Sequence, residues 1–279
     1  MKKVRSFLFM CVIVALGTFI VIQGLNFFLN KTEQAKNQEQ EEIDQSVYLV
    51  AIGDSLTEGV GDSTQNGGYV PLVANQLRET TGIKEVTTKN YGISGERSDQ
   101  ILERIKQQED VRSDLAKATV IVLTAGGNDL IQTFKREQLK INQDSFIEPK
   151  KKYQENLTAI LTEFQSLNPK AQVYIFGIYN PYAHLFPEVT EMQEVLDSWN
   201  EETEQLAEKE QATYLSLSEL FDLNGQTTPA DTIGDSTDDQ PANNPLLYEE
   251  DLFHPNDQGY ELMADELYQA LIKNRTIAD

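Results

Sequence analysis

The sequence predicts an α/β fold in which helices cover a central parallel sheet of five strands. Strand-like and helix-like segments alternate from residue 47 to residue 273, the pattern of parallel strands joined by crossover helices. Three short polar motifs each follow a predicted strand, where an open sheet of this kind carries its functional groups. With 279 residues the chain has room for one substantial domain and accessory segments. We therefore expect one α/β domain at residues 47–279.

The five predicted strands are short runs rich in β-branched and aromatic residues. In chain order they are Val47–Ile52, Val86–Tyr91, Thr119–Leu123, Gln172–Ile178 and Ala212–Leu217. Five further stretches have helical spacing of their apolar residues. They are Gly68–Thr80, Ser98–Glu109, Lys150–Leu167, Thr190–Glu210 and Asn256–Lys273.

Two segments are longer than ordinary connections between secondary-structure elements, residues 134–149 and 222–250. We expect both to be irregular. The second is acidic and rich in Pro, Asn and Gly, which predicts a disordered or lid-like insertion within the domain. It matches no complete EF-hand loop, so we do not expect it to bind calcium.

The first 30 residues predict a transmembrane anchor. Lys2, Lys3 and Arg5 precede an uncharged stretch, Ser6 to Asn30, that is rich in Phe, Val, Ile and Leu. As a helix, a stretch of this length can span a hydrocarbon core of roughly 30 Å. A cleaved signal peptide is the alternative, but the apolar run continues to Leu29 and no small-x-small cleavage site follows it. We favour an uncleaved anchor; cleavage would instead release a secreted protein.

The position of the basic residues predicts the orientation of this anchor. By the positive-inside bias the N-terminus lies in the cytoplasm, and the rest of the chain lies outside the cell membrane. Residues 31–46 are polar and lack aromatic side chains, so we interpret them as a stalk between anchor and domain. The formal net charge of −22 makes nucleic acid an improbable partner, because such a surface repels phosphate backbones.

Three polar motifs lie at the ends of the first three predicted strands. We therefore expect all three at the same edge of the sheet. They are Gly53-Asp54-Ser55-Leu56, Asn90-Tyr91-Gly92-Ile93-Ser94-Gly95 and Gly126-Gly127-Asn128-Asp129. A serine nucleophile needs a base, a group that orients the base, and donors for a developing oxyanion. Ser55 lies where its hydroxyl can be presented, and the Gly95 N–H and the Asn128 amide are suitable donors. Each motif alone is also compatible with an ordinary turn.

The base is constrained because the chain has two histidines. His254 lies three residues after Asp251, in the loop before the last helix, so the carboxylate can fold back and orient the imidazole. His184 lies in a loop after the fourth strand and has no acidic neighbour in sequence that could orient it. We therefore favour His254 as the base.

These three motifs, together with Asp251 and His254 as a fourth, resemble the GDSL or SGNH family of esterases and acyl hydrolases. The resemblance extends over roughly Val47 to Lys273. The resemblance implies Ser55 as nucleophile, His254 as general base and acid, and Asp251 as orienting acid. It implies an oxyanion hole formed by the Ser55 and Gly95 backbone N–H groups and the Asn128 side chain. It also implies a three-layer α/β/α fold with a flavodoxin-like sheet, and neither metal nor cofactor. The longer stretch 53–62 resembles membrane-anchored or exported members from Gram-positive bacteria.

The expected activity is hydrolysis of carboxylic esters through an acyl-enzyme, on lipid-like or short-chain acyl esters at the cell surface. Four apolar side chains after the fourth strand are candidates for an acyl site, although packing beneath the loop explains them equally well: Tyr179, Tyr182, Leu185 and Phe186. Three alternatives stay open: an O-acetyl esterase acting on cell-wall carbohydrate, a non-catalytic surface binding module on the same fold, and a stalked structural protein of the envelope.

Overall fold

The computed structural model describes residues 23–27, 31, 45–137, 143–183, 189–225 and 244–274. Within these ranges, no helix is both long enough and apolar enough to cross a membrane. Most of the predicted anchor and stalk lies outside the described residues, so both stay predictions. The boundary of the domain at residue 47 stays a prediction as well.

The predicted five-stranded parallel sheet is confirmed. Its strands are β1 (Gln45–Gly53), β2 (Ile83–Gly92), β3 (Val120–Thr124), β4 (Gln172–Phe176) and β5 (Thr213–Leu215). They are arranged in the order β2-β1-β3-β4-β5, with every neighbouring pair parallel. The chain therefore reverses its direction of winding beside β1, which is the usual location of a binding crevice in such sheets.

The last two strands are shorter than the sequence predicted. The prediction continued β4 to Ile178, but the Ile178 backbone instead bonds to the Asn200 side chain, at 2.9 Å through its N–H and 2.7 Å through its carbonyl. β5 was predicted to reach Leu217, but that residue begins a helix. In both places a side chain or a new helix satisfies backbone groups that the sheet would otherwise pair.

Helices connect and follow these strands. In chain order they are α1 (Ser55–Glu58), α2 (Tyr69–Glu79), α3 (Ser98–Gln107), α4 (Glu109–Leu115), α5 (Gly127–Arg136), α6 (Asp144–Leu167), α7 (Thr190–Lys209), α8 (Leu217–Gly225) and α9 (Asp257–Lys273). The predicted helix Ser98–Glu109 is thus two helices, because Gln108 between them has extended backbone angles. The other four predicted helices are present, with α6 extended at its N-terminal end.

The prediction that residues 134–149 are irregular was wrong. Helix α5 covers the first part and α6 begins at Asp144. Phe134 on α5 and Phe146 on α6 are both buried and contact each other, with ring centroids 4.7 Å apart. Burial of apolar side chains therefore stabilises helices whose local signal is weak. In the second long segment, α8 extends to Gly225, and residues 226–243 lie outside the described part of the chain.

Helices cover both faces of the sheet, which gives the three layers implied by the family resemblance. Alternate side chains of β1 point to opposite faces, with Val50 and Ile52 in one core and Leu49 and Ala51 in the other. The first core is completed by apolar side chains of α3, α4, α5, α6 and α7. The second is completed by those of α2, α8 and α9. The motif loops emerge between these layers, at the carboxyl ends of the strands.

Candidate active site

The turn that carries Ser55 is built by a close approach of two strands. A Cβ on Gly53, the last residue of β1, would lie 2.2 Å from the Thr124 hydroxyl at the end of β3, so only glycine fits. Asp54 then caps α1 by accepting the Leu56 N–H at 3.1 Å. Ser55 is the first residue of this helix, where backbone N–H groups have no partner within the helix.

The Asp54 carboxylate is a buried support of this turn. It accepts hydrogen bonds from the Thr124 hydroxyl at 2.8 Å and the Leu56 N–H. The Thr124 hydroxyl also lies 2.8 Å from that of Thr57 on α1. Burial raises the pKa of Asp54, and its hydrogen bonds and the nearby His254 partly oppose that rise. The sequence did not indicate this role, because Asp before Ser reads as a simple helix cap.

Ser55, His254 and Asp251 form a continuous chain of hydrogen-bonding contacts. The His254 Nε2 atom lies 2.9 Å from the Ser55 Oγ, and the Nδ1 atom lies 2.6 Å from the Asp251 Oδ2. The other carboxylate oxygen of Asp251 accepts the backbone N–H groups of Phe253 at 2.9 Å and His254 at 3.0 Å. The segment from Asp251 to His254 therefore folds into one turn around the carboxylate, as the spacing of the two residues predicted.

These contacts keep the Asp251 carboxylate ionised. Burial alone would raise the pKa of Asp251, but hydrogen bonds from the His254 side chain and from the His254 and Phe253 backbone outweigh that effect. Its pKa therefore lies below the ordinary value of an aspartate. At neutral pH the imidazole thus faces a negative charge through Nδ1 and a hydroxyl through Nε2.

The loop that carries His254 is fastened to the start of α9 by backbone pairing. Leu247 and Pro255 form an antiparallel bridge, and the Tyr248 N–H donates to the His254 carbonyl at 2.8 Å. Asn256, which caps α9, donates its side-chain amide to the carbonyls of Pro245 and Leu247 at 2.8 and 3.1 Å. Contacts within residues 245–256 therefore help to set the position of the imidazole.

Gly95 and Asn128, which with the Ser55 N–H are the three predicted oxyanion donors, line the same cavity as Ser55 and His254. Gly95 has a φ of +82°, in the left-handed region that favours glycine, and a Cβ there would meet no heavy atom within 4 Å. Asn128, in the first turn of α5, donates one amide hydrogen to the Glu96 carbonyl at 2.9 Å. An amide group has two hydrogens, so the second is available to a ligand in the cavity.

The whole cavity has a volume of about 380 Å³, and it continues from these polar groups into an apolar groove. The groove is lined largely by side chains of α5 and α7 and of the segment after β4. Its apolar lining includes Leu130, Ile131, Phe134, Ile178, Met192 and Leu196. The sequence prediction missed this groove because it treated residues from 134 as irregular. The spacing of Leu130, Ile131 and Phe134, at i, i+1 and i+4, was the signal that could have indicated α5.

The four predicted acyl-site residues have different outcomes. Tyr179 is buried, lines the cavity and stacks on Phe221 with ring centroids 4.3 Å apart. Its hydroxyl donates to the Phe253 carbonyl, next to His254, so Tyr179 also supports the histidine loop. Tyr182 is exposed at the rim of the same cavity. Leu185 and Phe186 lie outside the described residues, as does His184.

The chain matches known proteins over most of its length. The model of the GDSL-like lipase/acylhydrolase family matches residues 51–262. The chain is 32% identical over 244 residues to the uncharacterized protein YpmR of Bacillus subtilis (strain 168), covering 87% of this chain and 86% of the relative. It is 25% identical over 229 residues to the spore germination lipase LipC of Bacillus licheniformis, covering 81% and 96% of the two chains.

Solved structures share the fold at lower identity. The lipase Lip_vut3 from a goat rumen metagenome superposes with a TM-score of 0.66 at 24% identity, covering 80% of this chain and 97% of that chain. A catalytic mutant of Axe2, an acetylxylan esterase from Geobacillus stearothermophilus, superposes with a TM-score of 0.57 at 18% identity, covering 82% and 95%. Because the family model spans both the Ser55 turn and the His254 loop, the chain belongs to the GDSL-like lipase/acylhydrolase family and is an ester-cleaving hydrolase.

Proposed function

We propose that this protein is a serine esterase that cleaves carboxylic esters of apolar acyl chains through an acyl-enzyme on Ser55. The observation that carries the proposal is the hydrogen-bonded series Ser55, His254 and Asp251 at the mouth of an apolar groove. Similarity to the lipase LipC supports an ester with a lipid-like acyl group. A non-catalytic binding module would have no need for a serine hydroxyl and an imidazole aligned in this way.

In the first half of the reaction, His254 Nε2 accepts the Ser55 proton as Oγ attacks the ester carbonyl. The carbonyl oxygen becomes an oxyanion, which the backbone N–H groups of Ser55 and Gly95 and the Asn128 amide stabilise. The intermediate then expels the alcohol, which takes the proton from His254. The acyl group stays bound to Ser55 as an ester.

In the second half, His254 removes a proton from a water molecule that attacks the acyl-enzyme. Collapse of the new tetrahedral intermediate releases the carboxylic acid and returns the proton to Ser55 Oγ. The Asp251 carboxylate stabilises the imidazolium that forms twice in the cycle, and it holds Nδ1 protonated so that Nε2 is the basic nitrogen. The buried Asp54 carboxyl also lies close enough to His254 for the two groups to interact electrostatically, although burial raises the pKa of Asp54.

The groove favours the acyl-chain substrate over an acetyl group on cell-wall carbohydrate. An acetyl group would leave most of a cavity of about 380 Å³ without an occupant. Apart from Lys135, the groove wall formed by α5 and α7 beyond Asn128 is built by apolar side chains, whereas sugar hydroxyls need polar partners. An O-acetyl esterase is therefore the second candidate, and a series of esters with increasing acyl length separates the two.

The cellular location is a further part of the proposal. Lys2, Lys3 and Arg5 ahead of a long uncharged stretch support an uncleaved anchor with the hydrolase domain outside the membrane. Fractionation of cells that express the full chain tests this, because the protein should stay with the membrane and be digested by external protease. Recovery of a shorter, active protein in the medium would show instead that the segment is cleaved.

Covalent labelling by a fluorophosphonate tests the chemistry. The wild type should be labelled at Ser55, and Ser55→Ala should abolish both labelling and ester hydrolysis without changing the circular dichroism spectrum. Ser94→Ala is a matched control, because Ser94 lines the same cavity but does not contact His254, and it should keep the label. Labelling of Ser55→Ala at another serine, or an unlabelled wild type, would contradict the proposal.

A further inference from the structure

Gly95 has no side chain that could fix its own backbone, so its neighbours determine where its N–H points. The loop around it is partly open to solvent, with Ile93 42% exposed. An oxyanion donor stabilises a transition state only if it is already held in place before the reaction. The contacts of Ser94 and Glu96, on either side of Gly95, therefore determine whether the Gly95 N–H is held in place as an oxyanion donor.

Glu96 is anchored by an ion pair with Arg104 of α3. The guanidinium donates to the Glu96 Oε2 through Nε at 2.8 Å, and its Nη2 lies 2.8 Å from the same oxygen. The Glu96 side chain is 14% exposed and the Arg104 side chain 8%, so the pair is largely shielded from water. Shielding leaves the attraction between the two charges much stronger than it is for an exposed pair.

The same guanidinium also holds the strand end that leads to Ser55. The Arg104 Nη2 donates to the Gly53 carbonyl at 3.3 Å. That carbonyl accepts the Ile93 N–H at 3.0 Å as well, so the start of the Gly95 loop is fastened to the same atom. Arg104 thus bridges the turn that carries the nucleophile and the loop that carries the oxyanion donor.

Two further contacts extend this arrangement to the rest of the oxyanion pocket. The Glu96 carbonyl accepts the Asn128 side-chain amide at 2.9 Å, so the position of Glu96 also orients the second donor. On the other side of Gly95, the Ser94 N–H donates to the Glu58 carboxylate of α1. Gly95 is therefore held between two residues that are both bound, through Glu58 and Arg104, to the region of Ser55.

We propose that the Arg104–Glu96 ion pair is a positioning device for the oxyanion pocket, which fixes the Gly95 N–H and the Asn128 amide relative to Ser55. This inference rests on the proposed function of Ser55 as the nucleophile. A buried ion pair is weak as a source of stability, because removing two charges from water costs about as much as their attraction returns. The Arg104 side chain bonds to the Gly53 carbonyl on the Ser55 side of the site, and the Glu96 carbonyl accepts the Asn128 amide on the other side. The pair therefore connects the two sides of the site, as a positioning role requires.

Three substitutions test the role of the pair: Arg104→Met, Glu96→Gln and Arg104→Lys. The matched control is Arg112→Met on α4, because Arg112 also donates to a glutamate, Glu163, at 3.1 Å and to a backbone carbonyl, that of Ile105, at 3.2 Å. It contacts neither the Gly95 loop nor the Ser55 turn. Each variant is assayed for kcat and KM, for inhibition by an alkyl boronic acid that mimics the tetrahedral intermediate, and for its thermal midpoint.

We expect Arg104→Met and Glu96→Gln to lower kcat by roughly 10- to 100-fold, the effect of displacing a catalytic group by about an ångström. KM should change by less than about twofold while boronate affinity falls in parallel with kcat/KM, because only transition-state binding is lost. Arg104→Lys should recover part of the activity, since lysine restores the charge but not the planar fork that reaches both partners. Arg112→Met should leave kcat and boronate affinity unchanged.

The proposal is overturned if Arg104→Met lowers only the thermal midpoint, as Arg112→Met does, or if Glu96→Gln has the kcat of the wild type. Glu96→Gln also decides the matter if Arg104→Met does not fold, because glutamine keeps the shape of the glutamate. Failure of the proposed function itself is detected separately. In that case Ser55→Ala would keep its activity, whatever the ion-pair variants do.

Discussion

The length and apolar lining of the groove predict how activity depends on the acyl chain. Burial of one methylene group stabilises a complex by about 0.8 kcal/mol, which corresponds to about a fourfold rise in kcat/KM. Four additional methylenes, as between a butyrate and an octanoate ester, should therefore raise kcat/KM by about 10²-fold. The rise should stop once the groove, which is part of a cavity of about 380 Å³, is filled.

The assay is hydrolysis of p-nitrophenyl esters from acetate to palmitate, below the concentration at which the longer esters form micelles. Ile131→Trp, which places an indole in the groove wall, should move the optimum to shorter chains and leave the acetate rate within about twofold of the wild type. Ile147→Trp is the matched control, since Ile147 is 57% exposed and does not line the groove. It should have the chain-length profile of the wild type.

A flat profile, or one that falls from acetate onward, would refute this reasoning and favour the O-acetyl esterase. An unchanged optimum in Ile131→Trp, together with a rising wild-type profile, would show that the acyl chain lies somewhere other than between α5 and α7. Equal effects of the two tryptophan substitutions would point to a general loss of stability rather than a filled groove.

Four more outcomes are expected. Asn128→Ala should lower kcat by about 10²- to 10³-fold with little change in KM, whereas Asn75→Ala on the exposed face of α2 should have no effect. Asp251→Asn should lower kcat by up to about 10⁴-fold, because the imidazole loses its orienting charge. The pKa of Asp251 is lower in the folded protein than in the unfolded chain. The ionised carboxylate therefore stabilises the folded protein fully above about pH 4, and this stabilisation is lost as the pH falls through the pKa of the folded state. The difference in thermal midpoint between the wild type and Asp251→Asn should therefore narrow from pH 6 to pH 3, and a constant difference would contradict it. Leu157→Ala, at a fully buried core position, should lower the free energy of unfolding in urea by about 2 to 5 kcal/mol without changing KM.

The positions of Ser55, Gly95 and Asn128 could be predicted because each follows a strand whose pattern is clear. Parallel strands end at a common edge, so the order of the motifs along the chain was enough to bring them together. His254 could be paired with Ser55 because the chain has two histidines and one of them has an aspartate three residues before it. In these cases the relevant information is local in sequence, or follows from a simple rule of sheet topology.

The groove and the ion pair at Glu96 could not be predicted, because both depend on contacts between distant segments. Arg104 lies on an amphipathic helix and reads as a solvated surface charge, yet in the fold its guanidinium is shielded and reaches Gly53, 51 residues earlier. Likewise, α5 becomes a groove wall only because Phe134 packs on Phe146 of the next helix. Side-chain burial across such separations has no signature in a single sequence.

The antiparallel bridge between Leu247 and Pro255 closes the loop that carries His254. The bridge and the Asn256 amide contacts are made within residues 245–256, so these contacts involve no residue of 226–243. Changes of length within 226–243 should then leave hydrolysis of a small soluble ester intact. This interval is accordingly a natural location for an epitope, a fluorophore or a specific protease site, through which the protein could be labelled or followed.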